Sequence, residues 1–265
     1  MKSPVHILVT VRKPELLPAA LLVFKTLRTG FPSAPVFVWG NGLEPAVAEQ
    51  VAYGAAGRGG TFNNLAPVCH DAWVEQLVLH QAQPFWICDT DVVFFDQVEW
   101  WFEAEDTELF AGRFEPTFQE DWSRSIHLER LHTALMWLNP GALRAAMLRW
   151  CREEIPAVFH TAQVPFIRQH FVPMRTGKLL YDTTAGLWQA GWGTPFTDQQ
   201  NGAYEHLNCG TYADEVSKVP AYRDMAAIHR AICENPEAAR GLQLQQNEFY
   251  ESRRPAGMAT NTEKG

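Results

Sequence analysis

Asp89 and Asp91, separated only by Thr90, are the residues of this 265-residue chain whose type and spacing point most directly to chemistry. They follow the apolar run Phe85-Trp86-Ile87-Cys88 and precede Val92-Val93-Phe94-Phe95. The first run is too short for a helix and long enough for a buried strand. In extended backbone alternate side chains share a face, so both carboxylates can point the same way. Two carboxylates so placed repel each other, and between two buried segments an uncompensated acidic pair is costly. A hard divalent cation bound through oxygen is the usual partner, and it often keeps positions open for substrate phosphates. The plainer alternative is a pair of turn residues closing a strand, because an acidic triplet of this kind arises readily by chance.

The elements that would position this pair form an alternating series. Val5 to Val11 reads as a buried strand, and Pro14 opens a helical pattern through Leu17, Leu21, Phe24 and Leu27 that Gly30 ends. Val36 to Trp39 is a second strand, closed by Gly40-Asn41-Gly42. Glu44 to Ala56 reads as helix, Gly57 to Gly60 as loop, and Val68 to His80 as a third helix before the central strand. This alternation predicts an α/β fold, a mainly parallel central sheet flanked by helices. Ligands of such sheets sit outside the carboxyl ends of the strands. Thr10, Val11 and Arg12, then Asn41, then Asp89-Thr90-Asp91 all fall at those ends, which converge on one expected crevice.

Composition narrows the classes. The net charge of −8 and the absence of a Lys/Arg cluster argue against a nucleic-acid surface, so a small phosphate ligand would lean on a metal and a few local cations. Cys69, Cys88, Cys151, Cys209 and Cys233 are odd in number and never spaced as CxxC, which argues for a reducing compartment and against a disulfide framework or zinc site. The N-terminus starts a strand almost at once and offers no signal-peptide core, and no apolar run approaches membrane-spanning length. A cytoplasmic protein is expected.

The second half changes character. Leu109 to Gly112 reads as a strand, Arg113 to His127 as an irregular polar loop with Glu115, Glu120 and Asp121, and Leu131 to Leu138 as a strand stopped by Asn139-Pro140-Gly141. An amphipathic helix follows with Leu143, Met147 and Trp150 in phase. Lys178 to Ala190 reads as extended around Asp182, and Tyr222 to Ile232 marks a late helix. Residues 251–265 are polar and apolar-poor, the signature of a disordered tail.

Around Asp89-Thr90-Asp91 and its strand, the chain resembles glycosyltransferases of the GT-A fold. In these, an apolar strand ends in a DxD motif that holds a divalent metal against the diphosphate of a nucleotide sugar. The resemblance spans roughly residues 5 to 215. It implies one catalytic domain over 1–250, with 1–102 binding the nucleotide sugar and 103–250 the acceptor. Val36 to Gly42, VFVWGNG, is similar to the second strand and turn of family 2 transferases. That likeness implies donor-nucleoside contacts from Asn41, Thr10 and Arg12, beside Asp89, Thr90 and Asp91. Tyr204-Glu205-His206-Leu207-Asn208-Cys209-Gly210 is similar to the late histidine segment of glycogenin-like transferases, with Gly210 one position later, and implies His206 as a third metal ligand. Taken alone, His206 would read as an ordinary strand histidine. Two carboxylates and one imidazole favour Mn²⁺, with Mg²⁺ as the alternative. The implied partners are a nucleotide-diphospho-sugar, a UDP-sugar foremost, and a saccharide or other small acceptor.

An inverting transferase also needs a carboxylate base beside the acceptor hydroxyl. Asp121 and Asp182 are the candidates, with Asp198 a third. Trp100, Trp101, Trp122, Trp188 and Trp192 could stack on sugar faces, and Trp188 and Trp192, in a Gly-rich stretch, are the expected exposed pair. One rival uses the same triplet. Asp89-Thr90-Asp91-Val92-Val93 also fits the nucleophile motif of haloacid-dehalogenase-like phosphatases. In that family the motif normally lies on the first strand and an acidic metal motif follows downstream; here neither holds. A non-catalytic nucleotide-sugar or carbohydrate-binding relative is the other alternative.

Overall fold

The computed structural model of the chain describes residues 2–12, 16–102, 107–119, 126–153, 174–176, 179–181, 183–189, 191–207, 225–242 and 244–245. The expected tail, Asp121, Trp122 and Asp182 lie outside these.

The apolar runs of the first half become neighbouring strands. They are β1 (Val5–Val9), β2 (Val36–Asn41), β3 (Gly60–Leu65) and β4 (Phe85–Cys88), paired in parallel in the order β4-β1-β2-β3. β6 (Phe110–Glu115), β9 (Arg130–Leu138) and β12 (Thr194–Pro195) extend the same sheet to seven strands, in the order β12-β6-β9-β4-β1-β2-β3. β9 pairs antiparallel with both β4 and β6, whereas β12 runs parallel to β6. β9 alone therefore runs backwards, and the other strands send their carboxyl ends to one edge.

Burial explains why β1 and β4 read as continuous apolar runs: both faces of the sheet are covered. Val5, Ile7, Val9, Trp86 and Cys88 face one core, packed by α2 (Val23–Gly30) and α3 (Pro45–Ala56). Leu8, Phe85 and Ile87 face a second core, packed by α4 (His70–His80) and α5 (Pro140–Glu153). The short β5 (Val92–Phe94) leaves the main sheet and pairs antiparallel with β13 (Tyr204–His206). β10 (Met174–Thr176), β11 (Leu179–Tyr181), β8 (Ile126–His127) and β7 (Phe118–Gln119) form a separate small sheet.

Four local readings are corrected. The expected helix from Pro14 to Gly30 is broken into α1 (Leu17–Ala20) and α2, because the Val23 N–H donates to Thr90 C=O at 2.9 Å. The loop read from Gly57 to Gly60 ends one residue early, at Gly59, and Gly60 opens β3, an edge strand too polar to show in the pattern (GTFNNL); six paired positions along β2 hold it. The segment read as extended after Lys178 turns helical as α6 (Ala185–Gln189). The polar loop read from Arg113 instead continues β6 as far as Glu115.

Candidate functional site

The acidic triplet sits where three backbone clamps meet. The Asp89 N–H donates to Ala134 C=O at 2.7 Å, continuing the β4–β9 ladder by one residue. Thr90 C=O accepts from Val23 at the start of α2, and Asp91 C=O accepts the Leu207 N–H at 3.1 Å. β5 then runs straight into its pairing with β13, in which His206 lies opposite Val92 and Glu205 opposite Val93. This register sets His206 beside Asp91. Gly30 lets α2 close onto β5: a Cβ there would lie 2.5 Å from the Phe94 ring. The Phe94 N–H also donates to Thr26 Oγ1 at 2.9 Å.

His206 Nε2 lies 3.2 Å from Asp91 Oδ1 and 3.7 Å from Asp89 Oδ2. One ligand atom from each of the three residues fits within a mutual 4.8 Å, and this is the one such group of metal-ligating side chains among the described residues. His206 and Asp91 are buried, while about a third of the Asp89 side chain is exposed (32%), so the trio opens through Asp89. Even so, the Asp89 carboxyl is pushed up to about 7. Burial is the main cause and Asp91 adds to it, against the opposing pull of His206 and Arg130. Burial works against the His206 imidazolium, but the charge and hydrogen bond of Asp91, then Asp89 and Glu115, hold its pKa above the ordinary value. Both shifts make the trio hold a proton more firmly than its separate groups would, and a divalent cation would have to displace it. The donor set fits such an ion: two carboxylate oxygens and the His206 Nε2 converge, while the far nitrogen Nδ1 has no hydrogen-bond partner among the described residues.

The other expected donor residues lie along the same edge. Asn41 ends β2 with its side chain fully engaged. Its amide donates to Thr10 Oγ1 at 3.1 Å and Val68 C=O at 2.9 Å, and its carbonyl oxygen accepts the Val68 N–H at 2.7 Å. Asn41 therefore joins Thr10 to the segment that leads into α4. Arg12 is exposed just past the end of β1. Asp198 is exposed in the first turn of α7 (Asp198–Asn201), which Thr197 caps. Trp188 and Trp192 are corrected: both are half-buried against the second core. Among the described residues Trp100 is the exposed indole, with the Lys2 ammonium over its ring.

Several polar neighbours escaped sequence reasoning because they are scattered singly along the chain. His70 opens α4 with Nε2 4.0 Å from Asp89 Oδ1. Burial lowers its pKa to about 4, so this is a contact of a neutral ring and not an ion pair. Past a register shift at Gly112/Arg113, β6 and β9 pair Arg113 with His132 and Glu115 with Arg130. These polar residues line the side of the trio next to His206. The one available signal was the pair of polar residues His132 and Thr133 inside the otherwise apolar run of β9.

No protein-family model and no curated protein matches the sequence. Solved structures to which the chain is similar include glycosyltransferases. The mannosyltransferase PcManGT from Pyrobaculum calidifontis, in complex with GDP-Man and Mn²⁺, shares 12% identity over 95% of this chain and 73% of its own, with a TM-score of 0.44. The apo form of the glycosyltransferase GlyE of Streptococcus pneumoniae shares 7% identity over 96% and 64%, with a TM-score of 0.42. A cytidylyltransferase from Leptospira borgpetersenii is similar at 11% identity over 91% and 97%, with a TM-score of 0.42. The chain spans 32% of the bifunctional glycosyltransferase WbbM and 46% of another GlyE structure. At these identities and scores no residue role passes from those proteins to this chain, and a shared fold does not fix an activity. The chemistry rests on the chain's own side chains.

Proposed function

We propose that this chain is a metal-dependent glycosyltransferase that moves a sugar from a nucleotide-diphospho-sugar, a UDP-sugar foremost, to a hydroxyl-bearing acceptor. The observation that carries the proposal is the meeting of Asp89, Asp91 and His206 at the carboxyl end of β4, beside the ends of β1 and β2. In this reading these three residues hold Mn²⁺, or Mg²⁺ as the alternative. When bound, the ion supplies the positive charge that stabilises a departing nucleoside diphosphate. The remaining work belongs to the protein. Asp89, Asp91 and His206 are held in place by backbone bonds to Ala134, Leu207 and β5, so little reorganisation accompanies binding. Thr10, Arg12 and the Asn41-braced segment form the wall for the nucleoside. Residues 1–102 supply the donor side and 103–250 the acceptor side. The bond from the anomeric carbon to the diphosphate oxygen breaks, the bond to the acceptor oxygen forms, and in an inverting transfer the hydroxyl proton passes to a carboxylate. Asp121 and Asp182 remain the candidates for that last role.

Thermal unfolding with UDP-, GDP-, ADP-, CMP- and dTDP-sugars, each with and without Mn²⁺, tests the reading. A ligand that binds only the native state raises its apparent stability with the logarithm of concentration. A shift that needs both Mn²⁺ and a UDP-sugar is expected. Metal-independent binding, or hydrolysis of p-nitrophenyl phosphate through an aspartyl-phosphate, would overturn it.

A further inference from the structure

The polar pairs of β6 and β9 are not used by the proposed function, yet one of their members reaches the trio. Cross-strand pairing of Arg113 with His132 and of Glu115 with Arg130 puts these side chains on one face of the sheet. The His132 ring lies 4.8 Å from the His206 ring, tilted by 49°. Its Nδ1 accepts the Ala134 N–H at 3.0 Å. The carbonyl of that same Ala134 accepts the Asp89 N–H at 2.7 Å. On its far side His132 Nε2 stands 3.8 Å from Glu115 Oε2, an oxygen that Arg130 fixes through Nε at 3.0 Å and Nη2 at 2.9 Å. His132 is thus held from behind, and it touches one member of the trio directly and another through a single residue.

We propose that His132 is a positioning residue that sets the spacing between the Asp89 carboxylate and the His206 imidazole. Two features require such a residue. Among the described residues His206 Nδ1 has no hydrogen-bond partner, and there the ring is oriented by packing and by Asp91. Asp89 leaves β4 just as the main ladder ends, so the Ala134 bond is its last tie to the sheet, and His132 restrains Ala134 in turn. The proposal rests on the metal reading only for the identity of the ligand; the spacing itself belongs to the metal-free protein. Outer partners of this kind typically change metal affinity by about 10- to 100-fold.

The test titrates Mn²⁺ into the full chain, reading free Mn²⁺ by electron paramagnetic resonance, and follows amide hydrogen exchange at Asp89 and Ala134 without metal. His132→Ala is expected to weaken Mn²⁺ binding by roughly 10- to 100-fold and to speed both exchanges. His132→Asn carries an oxygen near the place of Nδ1, so it should restore exchange protection and recover part of the affinity. Leu138→Ala, at the other end of β9, loosens the core and should leave Mn²⁺ affinity within about twofold. Wild-type affinity in folded His132→Ala, or an equal loss in Leu138→Ala, overturns the proposal. If His132→Ala does not fold, His132→Phe keeps the ring and loses the acceptor. Binding weakened in the Phe variant and at least partly recovered in the Asn variant then supports the role, and wild-type affinity in the Phe variant, or no recovery in the Asn variant, overturns it. If the wild-type protein takes up no Mn²⁺ at all, the metal reading falls, and the exchange rates alone decide: rates unchanged by His132→Ala refute the positioning role.

Discussion

His6 offers a sharp test of the packing that carries β4. It lies on β1, is 1% exposed, and stacks on Phe37 with its edge partner Phe85 on the neighbouring strand. Trp39 Nε1 donates to its Nδ1 at 3.1 Å, so Nδ1 must keep its lone pair and the ring must stay neutral. Burial lowers its pKa from 6.5 to about 4. Between those values the unfolded chain binds the extra proton and the folded one does not. The His6 contribution is therefore complete above about pH 6.5 and is lost as the pH falls toward 4. The drop from 6.5 to about 4 corresponds to about 3 kcal/mol in full, of which about 2 kcal/mol is lost by roughly pH 5. The assay is urea unfolding of wild type and His6→Phe at pH 7.5 and 5.0. His6→Phe loses the Trp39 acceptor at both pH values but carries no proton. The stability difference between the two proteins should therefore shift by about 2 kcal/mol in favour of the variant on acidification. A difference that stays constant with pH would refute the claim that His6 is buried neutral.

Three further outcomes follow from the site and its supports. On the proposed metal reading, Asp91→Asn should abolish measurable Mn²⁺-dependent UDP binding because it removes a negative charge from the donor set, and His206→Ala, which removes the imidazole donor, should weaken it by at least roughly tenfold in calorimetry. If the proposed site holds Mn²⁺, affinity should rise from pH 6 to pH 8, because the ion would displace a proton from a trio whose Asp89 carboxyl is pushed up to about 7 by burial. Calorimetry in two buffers of different ionisation enthalpy would show that proton release, and a pH-independent affinity would contradict it. Gly30→Ala should destabilise by about 1–3 kcal/mol in urea, because its Cβ would meet the buried Phe94 ring at 2.5 Å, and should weaken Mn²⁺ binding through the displaced β5.

The apolar runs at Val5, Val36 and Phe85, and the Asp-x-Asp spacing that follows the last of them, were legible without coordinates because each is a local pattern. Buried parallel strands need continuous apolar residues, and two carboxylates one residue apart declare themselves wherever the chain goes next. The edge strand β3 was not legible: its hydrogen bonds come from β2, and its own polar residues carry no period. The break between α1 and α2 was hidden for a related reason, since the N–H of Val23 answers to Thr90, a residue far along the chain. His206 was named by resemblance, but its distance of 3.2 Å from Asp91 was settled by the β5–β13 register, a pairing across more than a hundred residues. His132, Glu115 and Arg130 stand apart in sequence from the acidic pair. Only the reversal of β9 and the register shift at Gly112/Arg113 bring them to its side. Local sequence determined the strands and the charge at the end of one of them, and long-range strand pairing decided which side chains meet that charge, because register is set by the ladder as a whole and not by any residue in it.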